Sequence, residues 1–147
     1  MKITILTIGK LKEKYLTDAV NEYLKRLKSY ATIEIIELPE RRTVDEEGES
    51  ILSRLPKDSW KCVLDVSGVS MSSEDLAQTI SNLAINGQSH LTFVIGSAFG
   101  LSQKLREAAN LKLSLSKMTF THQMTRVILI EQIYRTFKIN RGEKYHW

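Results

Sequence analysis

The sequence predicts an α/β fold, in which helices flank a single, mostly parallel sheet. Two observations carry this prediction: short apolar or alternating runs typical of strands recur along the chain, and amphipathic segments with a helical period lie between them. Strands that alternate with helices usually pair in parallel, because each return to the sheet needs a long crossover. The chain has 147 residues, about the length of one domain, so residues 1–147 are expected to form a single domain.

The first two strands and the first two helices precede residue 56. The predicted strands Lys2–Ile8 and Ile33–Leu38 are rich in isoleucine, which is enriched in sheets. Between them, Leu11–Leu27 carries an apolar residue at every fourth position, which predicts the buried stripe of a helix. A polar, charged stretch, Pro39–Glu49, then runs as an exposed loop into a shorter predicted helix, Glu46–Leu55.

Three further strands and two further helices are predicted up to residue 116. Lys61–Val66 is the third strand, and Ser73–Leu83 opens with Ser-Ser-Glu-Asp, which suits a helix cap followed by acidic residues. The fourth strand, Leu91–Gly96, is almost wholly apolar, as expected when both faces are covered. A short helix, Ser102–Ala109, precedes the fifth strand, Lys112–Ser116, which alternates leucine with polar residues.

The last predicted helix, Gln123–Ile139, is the longest and the most apolar. Its apolar residues cover more than one side of the helix, so it must be buried on more than one side. A second copy of the chain would cover the excess apolar surface, and a homodimer is therefore expected. The alternative is that this helix lies centrally within its own chain.

Composition and charge exclude several functional classes. No apolar run approaches the roughly 18–20 residues of a membrane span, and the first residues are too short and alternating for a signal peptide, so a cytoplasmic protein without membrane contact is expected. The single cysteine, Cys62, excludes an internal disulfide, and no metal-binding motif is present. Residues 102–147 carry nine basic and three acidic residues, a net charge of +6, which suits either a polyanionic partner or an ordinary basic surface.

Two segments are candidate functional motifs. Gly96 and Gly100 flank a turn between a strand and a helix, where parallel sheets gather ligands, although the spacing matches neither the dinucleotide motif nor the P-loop. The alternative is a tight turn alone. The last eight residues, 140–147, concentrate Arg, Lys, Tyr, His and Trp, which are residue types suited to phosphate contact, base stacking and proton transfer. The alternative there is a basic tail without function.

Taken together, these segments resemble a known family along the whole chain. The opening MKITILTIGKLKEKYLTDAVNEYLKRLKSY, the turns LDVSGVSMSSEDLA and FVIGSAFGL, and above all the ending LSLSKMTFTHQMTRVILIEQIYRTFKINRGEKYHW carry the resemblance. The chain resembles the ribosomal large-subunit pseudouridine methyltransferase H family, which belongs to the SPOUT superfamily of knotted methyltransferases. It departs from the family pattern at Ser97, where a second glycine is common, and also at Phe99 and at Trp147.

The resemblance implies a SPOUT-type fold with a trefoil knot in the region of about residues 91–147. It implies a homodimer with the long helix in the interface, S-adenosylmethionine as methyl donor, and no metal. The substrate would be N3 of a pseudouridine in the helix 69 loop of 23S rRNA, in the assembled 70S ribosome. Carried over by position, the cofactor-binding residues would be Leu64, Gly96, Leu115, Ser116, Lys117, Met118, Thr119 and Phe120.

The chemistry of the implied reaction suggests roles for the C-terminal residues. N3 of the base is protonated at neutral pH, so a group must accept its proton or stabilise the developing anion. Our hypothesis is that the tail of one subunit covers the cofactor of the other, with His146 as the base, Tyr145 positioning or stacking on the pyrimidine, and Arg141 stabilising charge. Further RNA-binding candidates are Arg126, His122 and Lys144.

Two other functions remain open from the sequence. One is a SPOUT methyltransferase that acts on a different rRNA site or on tRNA, because substrate choice is not visible in these residues. The other is a ribosome-binding protein without catalytic activity that uses the same basic tail. Binding of S-adenosylmethionine discriminates the second from an enzyme.

Overall fold

The computed structural model describes residues 1–145 and contains one five-stranded sheet. Neighbouring strands all pair in parallel, in the order β2-β1-β4-β3-β5, so β4 lies at the centre between β1 and β3. This confirms the predicted α/β architecture. The strands are β1 Lys2–Ile8, β2 Thr32–Leu38, β3 Trp60–Ser70, β4 His90–Ile95 and β5 Leu111–Ser114.

Five helices alternate with the strands and cover both faces of the sheet. One hydrophobic cluster joins the sheet to α1, α3 and α5, and a second joins the opposite face to α2 and α4. Burial on both faces explains why β4 is apolar along most of its length. The helices are α1 Lys14–Leu27, α2 Val44–Arg54, α3 Ser73–Ile85, α4 Gln103–Ala108 and α5 His122–Asn140.

Local signals place the starts of several helices correctly. Ser72 caps α3 in a capping box with Asp75, in which each side chain accepts a hydrogen bond from the other residue's backbone N–H. Ser102 caps α4 by accepting from Leu105 N, and Thr121 caps α5 by accepting from Met124 N. These caps satisfy backbone donors that a helix start leaves unpaired.

The buried face of α1 differs from the predicted stripe. The helix begins at Lys14 and buries Leu16, Val20 and Leu27, whereas Tyr15 is 69% exposed. A strict four-residue spacing advances about 40° per step on a helix of 3.6 residues per turn, so a stripe at that spacing drifts off the core face. The predicted stripe is therefore confirmed at Leu27, and at Leu11 and Tyr23, which pack against the core, but it is wrong at Tyr15.

The long helix α5 lies centrally on its layer, in contact with both α1 and α3. Leu129, Ile130 and Ile133 are fully buried within the chain. A central position in its own chain therefore accounts for part of the apolar surface of α5, but Met124 is 42% exposed and Val127 and Phe137 are only partly buried, so the expected homodimer stays a prediction. None of the helices in residues 1–145 is long and apolar enough to cross a membrane.

The strand β3 extends beyond its predicted end at Val66 because it contains a large bulge. Leu64 and Val69 both pair with Leu113 of β5, so the residues between them leave the ladder. Gly68 is required there, since a Cβ atom would lie 2.5 Å from the backbone oxygen of Lys112. The bulge projects from the carboxyl end of the sheet, where the candidate site lies.

Candidate active site

A cavity of about 730 Å³ opens at the carboxyl ends of β3, β4 and β5. This is the edge at which parallel α/β sheets bind ligands, and the volume is typical of a site for a small molecule or cofactor. The cavity is bounded by the bulge of β3, the turn after β4, the segment between β5 and α5, and the starts of α1 and α5. The corresponding lining residues are Leu64–Val66, Ile95–Ala98, Gly100, Leu115, Ser116, Met118–Gln123, Thr125, Glu13, Tyr15 and Leu16, together with Leu101 and Arg106 beside the turn.

Seven of the eight residues expected to bind a cofactor line this cavity. The eighth, Lys117, is not among the lining residues and is exposed. The structure thus brings together positions that are up to 56 residues apart in the sequence, from three different strand ends. The seven residues are Leu64, Gly96, Leu115, Ser116, Met118, Thr119 and Phe120.

The turn between Gly96 and Gly100 has a backbone shape that only glycine permits at both ends. A Cβ atom at Gly96 would lie 2.6 Å from the carbonyl oxygen of Gly100, and Gly100 itself has φ of +91°. Gly100 N donates to the carbonyl oxygen of Ser97 at 3.0 Å, which closes the turn. The pair of glycines therefore does form a tight turn, and that turn is a wall of the cavity.

The cavity also contains charged residues that were not predicted from the sequence as site residues, namely Glu13, Asp65 and Arg106. The side chain of Asp65, in the β3 bulge, is 6% exposed and lies 3.1 Å from Nε of Arg106. Asp65 also accepts from Ser67 N at 3.0 Å, as a turn-forming aspartate does. The sequence could have indicated Asp65 as a cavity residue, because it directly follows the apolar part of a strand. Arg106 and Glu13 carry no such signal, because only the tertiary fold brings them to the cavity.

His122 and Arg126 lie one turn apart on α5 but face different surroundings. His122 lines the cavity. Arg126 is 1% exposed, and its guanidinium pairs with Glu37 and donates to the side chain of Thr7 and to the carbonyl oxygen of Gly9. Because all these contacts are internal, Arg126 does not present its charge to RNA in this conformation, and it instead ties α5 to the ends of β1 and β2.

The described part of the C-terminal tail, up to Tyr145, packs against its own chain and does not line the cavity. Tyr145 donates a hydrogen bond to Glu131 at 3.1 Å, and its ring centroid lies 4.9 Å from that of Tyr134. Burial, together with its hydrogen bonds, raises the pKa of Tyr145 above its ordinary value, so the phenol is neutral near pH 7. His146, the proposed base, lies outside the described residues.

Arg141, Glu143 and Lys144 of the tail also lie outside the cavity. The Arg141 guanidinium lies 4.3 Å from the ring centroid of Tyr30, and Lys144 is exposed. Glu143 accepts from Tyr30 at 2.7 Å and pairs with Lys138 at 2.6 Å, and these two contacts lower the pKa of the Glu143 carboxyl. Within residues 1–145, none of the tail candidates lines the cavity of its own chain.

Comparison with known proteins now identifies the family. A family model described as "Predicted SPOUT methyltransferase" matches residues 1–146. The chain belongs to the SPOUT methyltransferase family. The resemblance seen in the sequence is confirmed, and the parallel sheet between helices is the SPOUT-type α/β arrangement. The trefoil knot expected over about residues 91–147 stays a prediction.

Close relatives of this SPOUT protein match it along its length. They include proteins named ribosomal RNA large subunit methyltransferase H from Halothermothrix orenii, Acetivibrio thermocellus and Clostridium acetobutylicum. Each is 48% identical over 158 aligned positions, which cover 99% of this chain and 99% of the relative. Among residues 1–145 of this SPOUT protein, no group of three or more His, Cys, Asp or Glu side chains is placed to hold a metal ion.

Proposed function

We propose that this protein transfers a methyl group from S-adenosylmethionine to N3 of a pseudouridine in the helix 69 loop of 23S rRNA, within the assembled 70S ribosome. One observation carries the proposal: a cavity of cofactor size is lined by seven residues that the family pattern assigns to the cofactor. The printed names of the relatives support ribosomal RNA as the substrate class. Such a protein acts in the cytoplasm, as a single domain of residues 1–147.

The lining of the cavity fits S-adenosylmethionine. Apolar side chains such as Leu64, Leu115 and Phe120 offer surfaces for an adenine ring, and the turn at Gly96 brings backbone close to a ligand. The carboxylates of Asp65 and Glu13 supply acceptors for hydroxyl and ammonium groups. When bound, S-adenosylmethionine would supply a methyl group attached to a positively charged sulfur. A nucleophile opposite the sulfur attacks the methyl carbon, and the sulfur leaves as a neutral thioether.

The residues of this chain then supply positioning and proton transfer. Holding the base nitrogen in line with the methyl carbon accounts for much of the rate enhancement. His146 takes the N3 proton, since an imidazole has an ordinary pKa near neutrality. The raised pKa of Tyr145 suits it to donate a hydrogen bond or to stack on the pyrimidine rather than to act as a base. Arg141 stabilises negative charge that develops on the pyrimidine.

A homodimer supplies the tail that this mechanism needs. Tyr145 is held on Glu131 of α5 and Arg141 on Tyr30, just after α1, and neither residue lines the cavity of its own chain. Large apolar side chains are exposed at the cavity mouth, including Tyr15 at 69% and Met118 at 75%. A second copy that packs on this rim would cover them and bring its own tail over the cavity. The RNA then contacts the composite site, with His122 at the cavity and Lys144 on the tail.

Transfer of labelled methyl from S-adenosylmethionine to purified ribosomes tests the proposal. The substrates are 70S particles and isolated 50S subunits, each with and without pseudouridine in helix 69. We expect label mainly on the pseudouridylated 70S particles, at N3. Label on another rRNA position or on tRNA would refute the substrate assignment. Cofactor binding with no label on any of these would send the search to other RNAs, whereas ribosome binding without cofactor binding would favour a non-catalytic ribosome-binding protein.

A further inference from the structure

A buried carboxylate lies behind the wall of the cavity and is not explained by the proposed chemistry. Glu47 on α2 is 2% exposed and does not line the cavity. Its carboxylate accepts hydrogen bonds from the Ser97 hydroxyl at 2.6 Å and from Arg41 N at 3.2 Å. Both donors are neutral. Burying a carboxylate costs free energy unless it keeps its hydrogen bonds. The Glu47 carboxylate and its two donors therefore hold one another in position.

The partner of this carboxylate, Ser97, organises the turn that faces the cavity. While its hydroxyl donates to Glu47, the same oxygen accepts from Phe99 N at 3.2 Å. The carbonyl oxygen of Ser97 accepts from Gly100 N at 3.0 Å. A continuous series of hydrogen bonds therefore runs from the α2 carboxylate through the Ser97 hydroxyl to the backbone of the turn.

A close contact between α2 and α4 fixes the far end of the same turn. A Cβ atom at Gly48, the residue after Glu47, would lie 2.2 Å from the hydroxyl oxygen of Ser102. Ser102 is the N-cap of α4, just beyond Gly100. The helix α2 thus contacts both ends of the turn. The Glu47 carboxylate binds Ser97 at the first end, and the backbone of Gly48 lies close to Ser102 at the second because Gly48 has no side chain.

We propose that Glu47 is a positioning residue, which acts through Ser97 to hold the Gly96–Gly100 turn in its cavity-lining conformation. The inference rests on the proposed function, because it takes S-adenosylmethionine and its demethylated product as the ligands of that cavity. It also gives a physical role to Ser97, at the position where a glycine is common in the family: the hydroxyl couples the turn to the carboxylate of α2.

Calorimetric binding of S-adenosylhomocysteine to Glu47→Gln and Ser97→Ala is the main test. An amide oxygen is a weaker acceptor than a carboxylate, and alanine removes the hydroxyl altogether. We expect each variant to bind about tenfold more weakly than the parent protein. In methyl transfer, KM for the donor rises by a similar factor while kcat at saturating donor stays within about twofold.

Hydrogen exchange of the Phe99 amide, measured without ligand, gives an independent readout. This amide donates to Ser97 Oγ, so its exchange should accelerate in both variants. Glu49→Gln is the matched control, since Glu49 lies on the same helix and its ion pair, at 3.1 Å, is with Lys104 of α4 and not with a residue of the turn. The control should leave both the affinity and the Phe99 exchange unchanged.

The double variant distinguishes a shared role from two separate ones. If Glu47 acts through Ser97, the double variant binds about as weakly as the weaker single variant. Affinities within twofold of the parent in the folded single variants, or multiplied losses in the double variant, would overturn the proposal. If Glu47→Gln does not fold, Glu47→Asp, whose shorter side chain cannot reach Ser97 in the same way, replaces it in the single and double variants. A parent protein that fails to bind S-adenosylhomocysteine would count against the proposed function, while the Phe99 exchange would still test the positioning role.

Discussion

Arg126 illustrates how burial changes the meaning of a single residue. From the sequence it was a candidate RNA contact, yet its guanidinium pairs with Glu37 and bonds Thr7 and Gly9 inside the protein. We expect Arg126→Ala to lower the free energy of unfolding by about 2–4 kcal/mol, because it leaves buried polar groups unpaired. Urea unfolding measures this loss. Lys104→Ala, which breaks an exposed pair with Glu49, should leave stability nearly unchanged, because water screens exposed ion pairs. Loss of ribosome affinity at unchanged stability would instead restore the RNA-binding hypothesis.

His90 makes the stability of the protein sensitive to mild acid. Burial, together with the nearby Lys2 and Lys61 charges, lowers the pKa of His90 in the folded state. The unfolded chain therefore binds a proton at higher pH than the folded chain, and stability falls as pH drops below about 6.5. We expect the parent protein to lose more unfolding free energy between pH 7.5 and 5.5 than His90→Gln, which can keep the hydrogen bond to Thr4. Parallel losses in the two proteins would contradict this assignment.

The bulge of β3 is the element on which the cavity wall depends. Gly68→Ala would place a Cβ atom 2.5 Å from the backbone oxygen of Lys112, and neither strand can easily move. We expect a loss of about 2–3 kcal/mol in unfolding free energy and weaker binding of S-adenosylhomocysteine, because Leu64 and Asp65 of the bulge line the cavity. Thermal unfolding and calorimetry measure the two effects. Ser67→Ala, in the same bulge but exposed, is the control and should leave stability nearly unchanged.

The strands and helices could be predicted from the sequence, because interactions between residues close together in the chain determine them. All five predicted strands and all five predicted helices are present, and the cap predicted at Ser-Ser-Glu-Asp lies at Ser72. Features that depend on distant partners were not predictable in this way. The bulge of β3 depends on β5, and the burial of Arg126 depends on carbonyl and carboxylate groups about 90 to 120 positions earlier. For the site, the family pattern indicated seven of the residues that line the cavity, whereas others, such as Arg106 and Glu13, required the tertiary fold.

For the whole molecule, complementation between subunits tests whether the proposed site is shared. Gly96→Val should distort the turn and abolish cofactor binding, and His146→Ala should remove the base. The homodimer of either variant alone is therefore expected to be inactive. If the tail of one subunit serves the cavity of the other, half of the dimers in an equal mixture are heterodimers with one intact site. Methyl transfer should then recover to about a quarter of the parent activity after mixing and refolding. No recovery, although native mass spectrometry detects the heterodimer, would place tail and cavity in the same chain.

The order of the strands also constrains when the cavity can exist during synthesis. Its walls include Leu16 near one end of the chain and Gln123 and Thr125 near the other, and the central strand β4 is separated in sequence from its neighbour β1 by more than 80 residues. Contacts so distant form slowly, and the last of them require α5. A nascent chain therefore has no assembled cavity until the start of α5 has emerged, and an unfinished or prematurely released chain is left without a ligand-binding site.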